Sequence, residues 1–266
     1  MTQTRPLVLL TNDDGYTSPG LRAAWRALGD DFETVVVAPE RQRSWTGKAI
    51  SNPGPLKLKQ AIVDGKEVNV LCDGLPADCT NIGLFHICPR KPVLVISGIN
   101  IGPNFTSSLA LSSGTIGGAL EAAENDVLGL AVSFDLDMNV YHEIEAGHEE
   151  RQVQFFEDAA AIVAKVARRL VASPLPDRVK LINLIIPQQL AEPLRLVPCE
   201  PLAYEYGSVF VRDDDKFRNR SVGFVESLAE VKPLTDVWAV RQGWVAYTLY
   251  TGRLEQYSNP ETRIEL

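Results

Sequence analysis

Runs of Val, Leu and Ile without polar alternation recur along the first two-thirds of the chain, and each runs directly into polar residues. Leu7-Val8-Leu9-Leu10 is followed by Thr11-Asn12-Asp13-Asp14-Gly15. Thr34-Val35-Val36-Val37-Ala38 is followed by Pro39-Glu40-Arg41-Gln42-Arg43-Ser44, and Val93-Leu94-Val95-Ile96 by Ser97-Gly98-Ile99-Asn100-Ile101-Gly102-Pro103-Asn104. A continuous apolar run suits a strand buried on both faces, as in a parallel sheet covered by helices. Between the first two runs, Leu21, Ala24, Trp25 and Leu28 share one helical face, with Gly29 as a stop. Strand, helix and strand in this order form a βαβ unit, which implies a right-handed crossover and a parallel sheet.

Farther on the pattern changes. Leu56-Lys57-Leu58-Lys59 and Val68-Asn69-Val70-Leu71 alternate about the turn signal Asp64-Gly65, predicting an edge hairpin over 56–71. Residues 76–85 read as a short helix with Pro76 near its start. A long loop is expected from Asn104 to Ser112; the small-residue stretch 116–124 then reads as a helix, 130–134 as a fourth strand, and 135–150 as an acidic surface loop. Apolar residues at 155, 156, 159, 162, 163, 166, 167 and 170 make one stripe, predicting a single long helix over 150–172. A strand over 180–186 stops at Pro187. In the remainder Pro and Gly recur, Arg212-Asp213-Asp214-Asp215-Lys216 is a charged turn, and Trp238-Ala239-Val240 and 244–250 read as β. Hairpins are expected there, with no further βα repeat. The fold class is α/β, a parallel-rich sheet with helices on both faces and a C-terminal β-hairpin-rich extension.

At 266 residues the chain can bury a sizeable core, as one large domain or a domain with an appendage. The balance of 26 Lys+Arg against 34 Asp+Glu gives a net charge of −8, which argues against a nucleic-acid polymer as partner. An anionic substrate would then need a metal or a few local basic side chains. No charged-then-apolar leader pattern opens the chain, and no stretch approaches the ~18 apolar residues of a membrane span, so a cytoplasmic protein without membrane attachment is expected. Cys72, Cys79, Cys88 and Cys199 show no paired C-x-x-C spacing and read as reduced packing thiols.

The chemistry lies where the strands end. Asp13 and Asp14, then Ser44, then Asn100 bring oxygen-bearing side chains to the edge of the sheet where open α/β folds bind ligands. Carboxylate, hydroxyl and amide oxygens suit Mg²⁺ or Mn²⁺, and sometimes Ca²⁺, with water and a substrate phosphate completing the shell. Ser113-Gly114-Thr115 opens the 116–124 helix with N–H groups and the positive dipole end available to an anion. The competing reading makes these residues caps and turn formers. Arg41, Arg43 and Lys48 add positive charge on the second loop, although each alone reads as a solvated surface residue. His86, His142 and His148 follow no buried strand, and neither Ser44 nor Ser113 lies in G-x-S-x-G, so histidine-ligated metal and serine-hydrolase chemistries are disfavoured.

Taken together, Leu10 to Gly15, Val37 to Ser44, Val95 to Asn104 and Ser113 to Gly117 resemble the SurE survival-protein family of metal-dependent nucleotidases. The resemblance spans roughly the first 135 residues and extends to Asn183 to Pro187 and to Thr235-Asp236-Val237-Trp238-Ala239. It implies a Rossmann-like phosphatase core over 1–190 and an extension over 191–266 that exchanges between subunits of a homodimer or homotetramer. It also implies hydrolysis of nucleoside 5′- and 3′-monophosphates, with some action on short polyphosphate. Carried over by position, Asp13, Asp14, Ser44 and Asn100 would hold one divalent cation per subunit (Mg²⁺ or Mn²⁺, or Ca²⁺ in a crystal), and Asp13 and Asp14 would be catalytic. Asn12, Asn104, Ser113, Gly114 and Thr115 would bind the substrate phosphate. Trp45, Lys48 and Ser112 depart from the family pattern, which bears on base preference and assembly. The alternatives are a short-chain polyphosphatase with incidental nucleotidase activity and a receiver-like Mg²⁺-binding signalling module. The receiver lacks its phosphate-accepting carboxylate here, since the third buried strand ends in Ser97-Gly98-Ile99-Asn100.

Overall fold

The computed structural model describes residues 4–136, 140, 144, 149–205, 207–219 and 231–252. In chain order the elements are β1 (Leu7–Thr11), α1 (Pro19–Leu28), β2 (Glu33–Pro39), β3 (Lys57–Val63), β4 (Lys66–Cys72) and α2 (Pro76–Ile82), which runs on into a π-helical turn, Gly83–Ile87. Then follow β5 (Leu94–Ile101), α3 (Ser107–Ser112), α4 (Gly114–Glu124), β6 (Gly129–Asp135), α5 (Glu149–Gln154), α6 (Glu157–Ala172) and β7 (Leu181–Pro187). The chain continues with β8 (Leu196–Pro198), β9 (Phe210–Asp213), β10 (Lys216–Asn219), α7 (Asp236–Arg241) and β11 (Val245–Tyr250).

Nine strands form one sheet in the order β3-β4-β2-β1-β5-β6-β7-β11-β8. From β4 to β7 all neighbours are parallel, while β3 runs antiparallel to β4, and β11 runs antiparallel to β7 and parallel to β8. The α/β expectation therefore holds. β1 has β2 on one side and β5 on the other, so the chain reverses its direction of travel across the sheet at β1. Beyond the carboxyl ends of such neighbours lies the crevice in which open α/β sheets bind ligands.

Strand alternation decides what each face carries. Val8, Leu10 and Ile96 join Leu21, Trp25 and Leu28 of α1 and Ile162 and Val163 of α6 in one cluster; Leu9, Val37 and Val95 join Cys79 of α2 and Ala122 of α4 in another. With each fully buried Leu or Ile contributing about 1.5–3 kcal/mol, this two-sided burial fixes the strand ends that carry the polar loops.

Three expectations need correction. The single helix over 150–172 is two helices, α5 and α6, because Phe155 and Phe156 leave the helical path; Phe156 turns inward instead, fully buried and 5.3 Å from Phe134 between ring centroids. Trp238-Ala239-Val240 is helical, within α7, which buries Val237, Ala239 and Val240 beside Ile185 and Ala246 of the sheet. The stretch before Ser113, read as loop, contains α3, capped by Thr106. Most of the acidic stretch 135–150, including His142 and His148, lies outside the described residues. In the C-terminal part, β9 and β10 form the expected hairpin around the charged turn, whereas β11 pairs with β7 and so joins the main sheet.

Candidate metal and phosphate site

Thr11 of β1 stands in register with Ser97 of β5, so the residues leaving β1 emerge beside the end of β5. Asn12 turns the chain there, its Nδ2 donating to the Gly15 carbonyl at 2.9 Å. The next two residues are held from opposite sides. Asp13 is buried, and its Oδ1 accepts the Thr115 hydroxyl at 2.7 Å, so its carboxylate sits at the N-terminus of α4. Asp14 accepts the Ile101 amide of β5 on Oδ2 at 3.1 Å and has the Gln42 side chain against its carboxylate, while its Oδ1 is buried with no hydrogen-bond partner among the described residues. Asn100 is the penultimate residue of β5, and its Nδ2 donates to the Gly102 carbonyl at 2.6 Å.

The second loop is drawn in by its backbone. The Arg43 amide donates to the Asp13 carbonyl at 2.6 Å, which pins the following residue, Ser44, on an exposed turn beside the end of β1. Two glycines make room for this. A Cβ at Gly114 would stand 2.9 Å from the Arg43 carbonyl oxygen and from Asp13 Cβ and Oδ2, and one at Gly117 would stand 2.1 Å from the Gly47 carbonyl oxygen. Lys48 anchors the far end of the loop to α4, 2.9 Å from Glu121 and 2.5 Å from Glu124. Arg41 and Arg43 both pair with Asp73. All three cations are therefore engaged by carboxylates.

On the anion side, Ser113 caps α4, its Oγ accepting the Ile116 amide at 3.1 Å. Thr115 gives both its hydroxyl proton and its backbone N–H to Asp13, so its part is to hold that carboxylate. Asn104 is fixed through its main chain: its amide donates to Ser133 Oγ at 3.1 Å and its carbonyl accepts from Asn183 Nδ2 at 3.0 Å. Its side-chain Nδ2 is buried with no hydrogen-bond partner among the described residues. A buried donor left unpaired costs about 1–3 kcal/mol, and a ligand acceptor there would recover it.

The electrostatics agree with this geometry. Burial pushes the Asp13 carboxyl up to about 6, against the stabilising Thr115 hydrogen bond. Burial, and then the charge of Asp13, pushes Asp14 well above the usual carboxylate range. Adjacent carboxylates, Asp13 buried and Asp14 half-buried with an unpartnered oxygen among the described residues, fit a hard divalent cation, whose charge would let both ionise. Among the described residues no group of three or more His, Cys, Asp and Glu is arranged to hold a metal. Among them Asp13 and Asp14 would supply the charge, and neutral oxygens of the Ser44 and Asn100 kind the remainder. The four cysteines are free, and burial pushes Cys88 and Cys199 up to about 11.

The structure thus gathers Asn12, Asp13, Asp14, Asn100, Gly114 and Thr115 about the end of β1, brings Ser44 to its rim, and places Ser113 and Asn104 on the flanking α4 and β5 loops. Reasoning from sequence missed the residues that hold these in place: Ser133 and Asn183. Each is a buried polar side chain inside an otherwise apolar strand, and that interruption was the available signal.

A family model described as Survival protein SurE matches residues 8–205. The 5′-nucleotidase SurE of Archaeoglobus fulgidus is 34% identical over 91% of this chain and 89% of its own length. That of Methanosarcina acetivorans is 35% identical over 91% of each. Among solved structures, the SurE protein from Aquifex aeolicus superimposes with a TM-score of 0.73 at 29% identity, covering 95% of this chain and 96% of that one.

Proposed function

The chain belongs to the SurE family, and from that premise we infer a divalent-metal-dependent phosphomonoesterase, a 5′-nucleotidase that hydrolyses nucleoside monophosphates to nucleoside and phosphate. The observation that carries this function is the carboxylate pair at the β1/β5 crevice, Asp13 held at the N-terminus of α4 and Asp14 held on β5 with an Oδ1 that has no hydrogen-bond partner among the described residues.

Asp13, Asp14, Ser44 and Asn100 would hold one cation per subunit, Mg²⁺ or Mn²⁺. When bound, the cation supplies Lewis acidity to the phosphoryl group and eases ionisation of the attacking water. The chain's own residues do the positioning. Thr115 fixes the Asp13 carboxylate, and Ile101 fixes that of Asp14. The free side-chain amide of Asn104 and the Gly114 N–H that opens α4 receive phosphoryl oxygens and favour the charge that builds up during in-line displacement. With its second oxygen unpartnered, Asp14 is the carboxylate better placed to orient water or take its proton; Asn12 closes the turn that aims it.

The division into a core over 1–190 and an extension over 191–266 is read here as functional. Phe210 and Phe217 of the β9–β10 hairpin are 53% and 67% exposed, apolar surface suited to exchange between subunits of a homodimer or homotetramer. Among the described residues no helix is long and apolar enough to cross a membrane; cytoplasmic residence is part of the same proposal.

The test is phosphate release from nucleoside 5′- and 3′-monophosphates, a generic phosphate ester and short polyphosphate, with Mg²⁺ or Mn²⁺ and then with EDTA. Metal-dependent release favouring 5′-monophosphates is expected. Turnover of polyphosphate alone would favour the polyphosphatase alternative, and undiminished rates in EDTA would overturn the metal-dependent chemistry.

A further inference from the structure

The loop after β5 carries Asn104, and two residues later its backbone takes an unusual path. Thr106 is fully buried at φ +63°, a left-handed conformation that β-branched residues rarely adopt. A single carboxylate from the far end of the chain meets it there. Asp236, 1% exposed at the start of α7, accepts the Thr106 amide on Oδ2 at 2.7 Å. Its other oxygen, Oδ1, accepts the Leu202 amide at 3.0 Å and the Val237 amide at 2.8 Å. Its own amide donates to the Glu200 carbonyl at 3.1 Å, and the Ser107 amide donates to the Leu202 carbonyl at 3.1 Å. One buried side chain thus ties together the β5 loop, the segment after β8 and α7. Asp236 and α7 lie beyond the stretch 8–205 matched by the family model.

We propose that Asp236 is a positioning residue for the substrate phosphate: it holds the strained Thr106 so that the Asn104 amide stays aimed into the site, making phosphate affinity depend on the C-terminal segment. This rests on the phosphomonoesterase function inferred above. Both carboxylate oxygens are occupied by N–H donors, so an amide in its place would turn an NH₂ toward one of them, and the hold on Thr106 or on Leu202 and Val237 would be lost. Asp13 and Asp14 are anchored separately through Thr115 and Ile101, so cation binding is spared.

The experiment compares wild type with Asp236→Asn by steady-state kinetics on a nucleoside 5′-monophosphate, calorimetric titration with inorganic phosphate in the presence of Mn²⁺, titration with Mn²⁺ alone, and hydrogen exchange of the Thr106 amide. The expected result is a rise of about tenfold in KM and in the phosphate dissociation constant, with a smaller change in kcat. Mn²⁺ affinity stays within about twofold, and Thr106 exchanges faster. In an Asn104→Ala background the same substitution should add little, because the group being aimed is gone. If Asp236→Asn lost its cooperative melt, Asn183→Ala, which removes the other hold on the Asn104 main chain, should give the same signature. Unchanged phosphate affinity and KM in the folded variant would overturn the proposal, as would equal losses of Mn²⁺ and phosphate binding. Failure of the wild type to hydrolyse any phosphomonoester would count against the function itself, a separate outcome.

Discussion

Removing the cation should reverse the pH dependence of this protein's stability. Asp13 carries a carboxyl raised from 3.8 to about 6 by burial, and Asp14 is also raised, by burial and then by the charge of Asp13. A carboxyl whose folded value lies above its unfolded one contributes most below pH ~4 and loses that contribution as pH rises through the folded value. For Asp13 the full span is about 3 kcal/mol, of which about 1.4 kcal/mol falls between pH 5 and pH 8. Asp14 adds in the same direction. At about 2–4 °C per kcal/mol for a protein of this size, the EDTA-treated protein should melt at least ~3–6 °C lower at pH 8 than at pH 5. A cation at a hundredfold excess over its dissociation constant restores about 2.7 kcal/mol at pH 8, and less at pH 5, where protons compete for the same oxygens. The assay is thermal unfolding from pH 5 to 8 in EDTA and in Mn²⁺, for wild type and Asp14→Asn. In EDTA at pH 8 the variant should melt above wild type, having lost a buried charge, and should respond little to Mn²⁺. A wild-type melting point in EDTA that is flat or rises toward pH 8, with an equal Mn²⁺ response in the variant, would refute the reasoning.

Three substitutions probe the supports of the site and fold. Thr115→Val keeps the shape but removes the donor to Asp13, so a loss of about 1–3 kcal/mol in chemical denaturation and a further rise in the Asp13 pKa are expected; unchanged stability and an unchanged pH profile would contradict this. Gly114→Ala forces a Cβ to within 2.9 Å of Asp13 and the Arg43 carbonyl, and should lower kcat/KM by about a hundredfold or more, read by phosphate release. Asp64 is pushed up by burial but held at about 2 by hydrogen bonds from Arg22 and Arg26, so its contribution is present above pH ~4 and lost as pH falls through about 2. Screened by solvent, the pairing should contribute about 1 kcal/mol, so Asp64→Asn should cost about that much at pH 7 and the gap to wild type should close toward pH 2 in urea titrations.

What the sequence made legible was local. The β1 run and its Asp13-Asp14 ending, the α1 stripe and the β3–β4 hairpin could each be read because the period and the turn chemistry sit within a dozen residues. The misreadings came where distant packing outweighs local pattern. Phe155 and Phe156 continue the apolar stripe of α6, yet Phe156 is drawn to Phe134 and the helix breaks. Trp238-Ala239-Val240 has strand-forming composition, but Thr235-Asp236 opens a helix whose buried face meets Ile185 and Ala246. At the site, the residue types that suit metal and phosphate were readable at the strand ends. Their fixings were not: Thr115 meets Asp13 across 102 positions and Thr106 meets Asp236 across 130, and no spacing rule reaches so far.

The central claim is that the carboxylates at the end of β1 run a cation-dependent phosphomonoester hydrolysis. Its most direct test is the rate of phosphate release from a nucleoside 5′-monophosphate in Mn²⁺ for wild type beside Asp13→Asn, each shown by its melt to be folded. A fall of about a thousandfold or more in the variant is predicted, since the substitution removes one of the two adjacent carboxylates proposed to hold the cation. A variant turning over within about tenfold of wild type would contradict it.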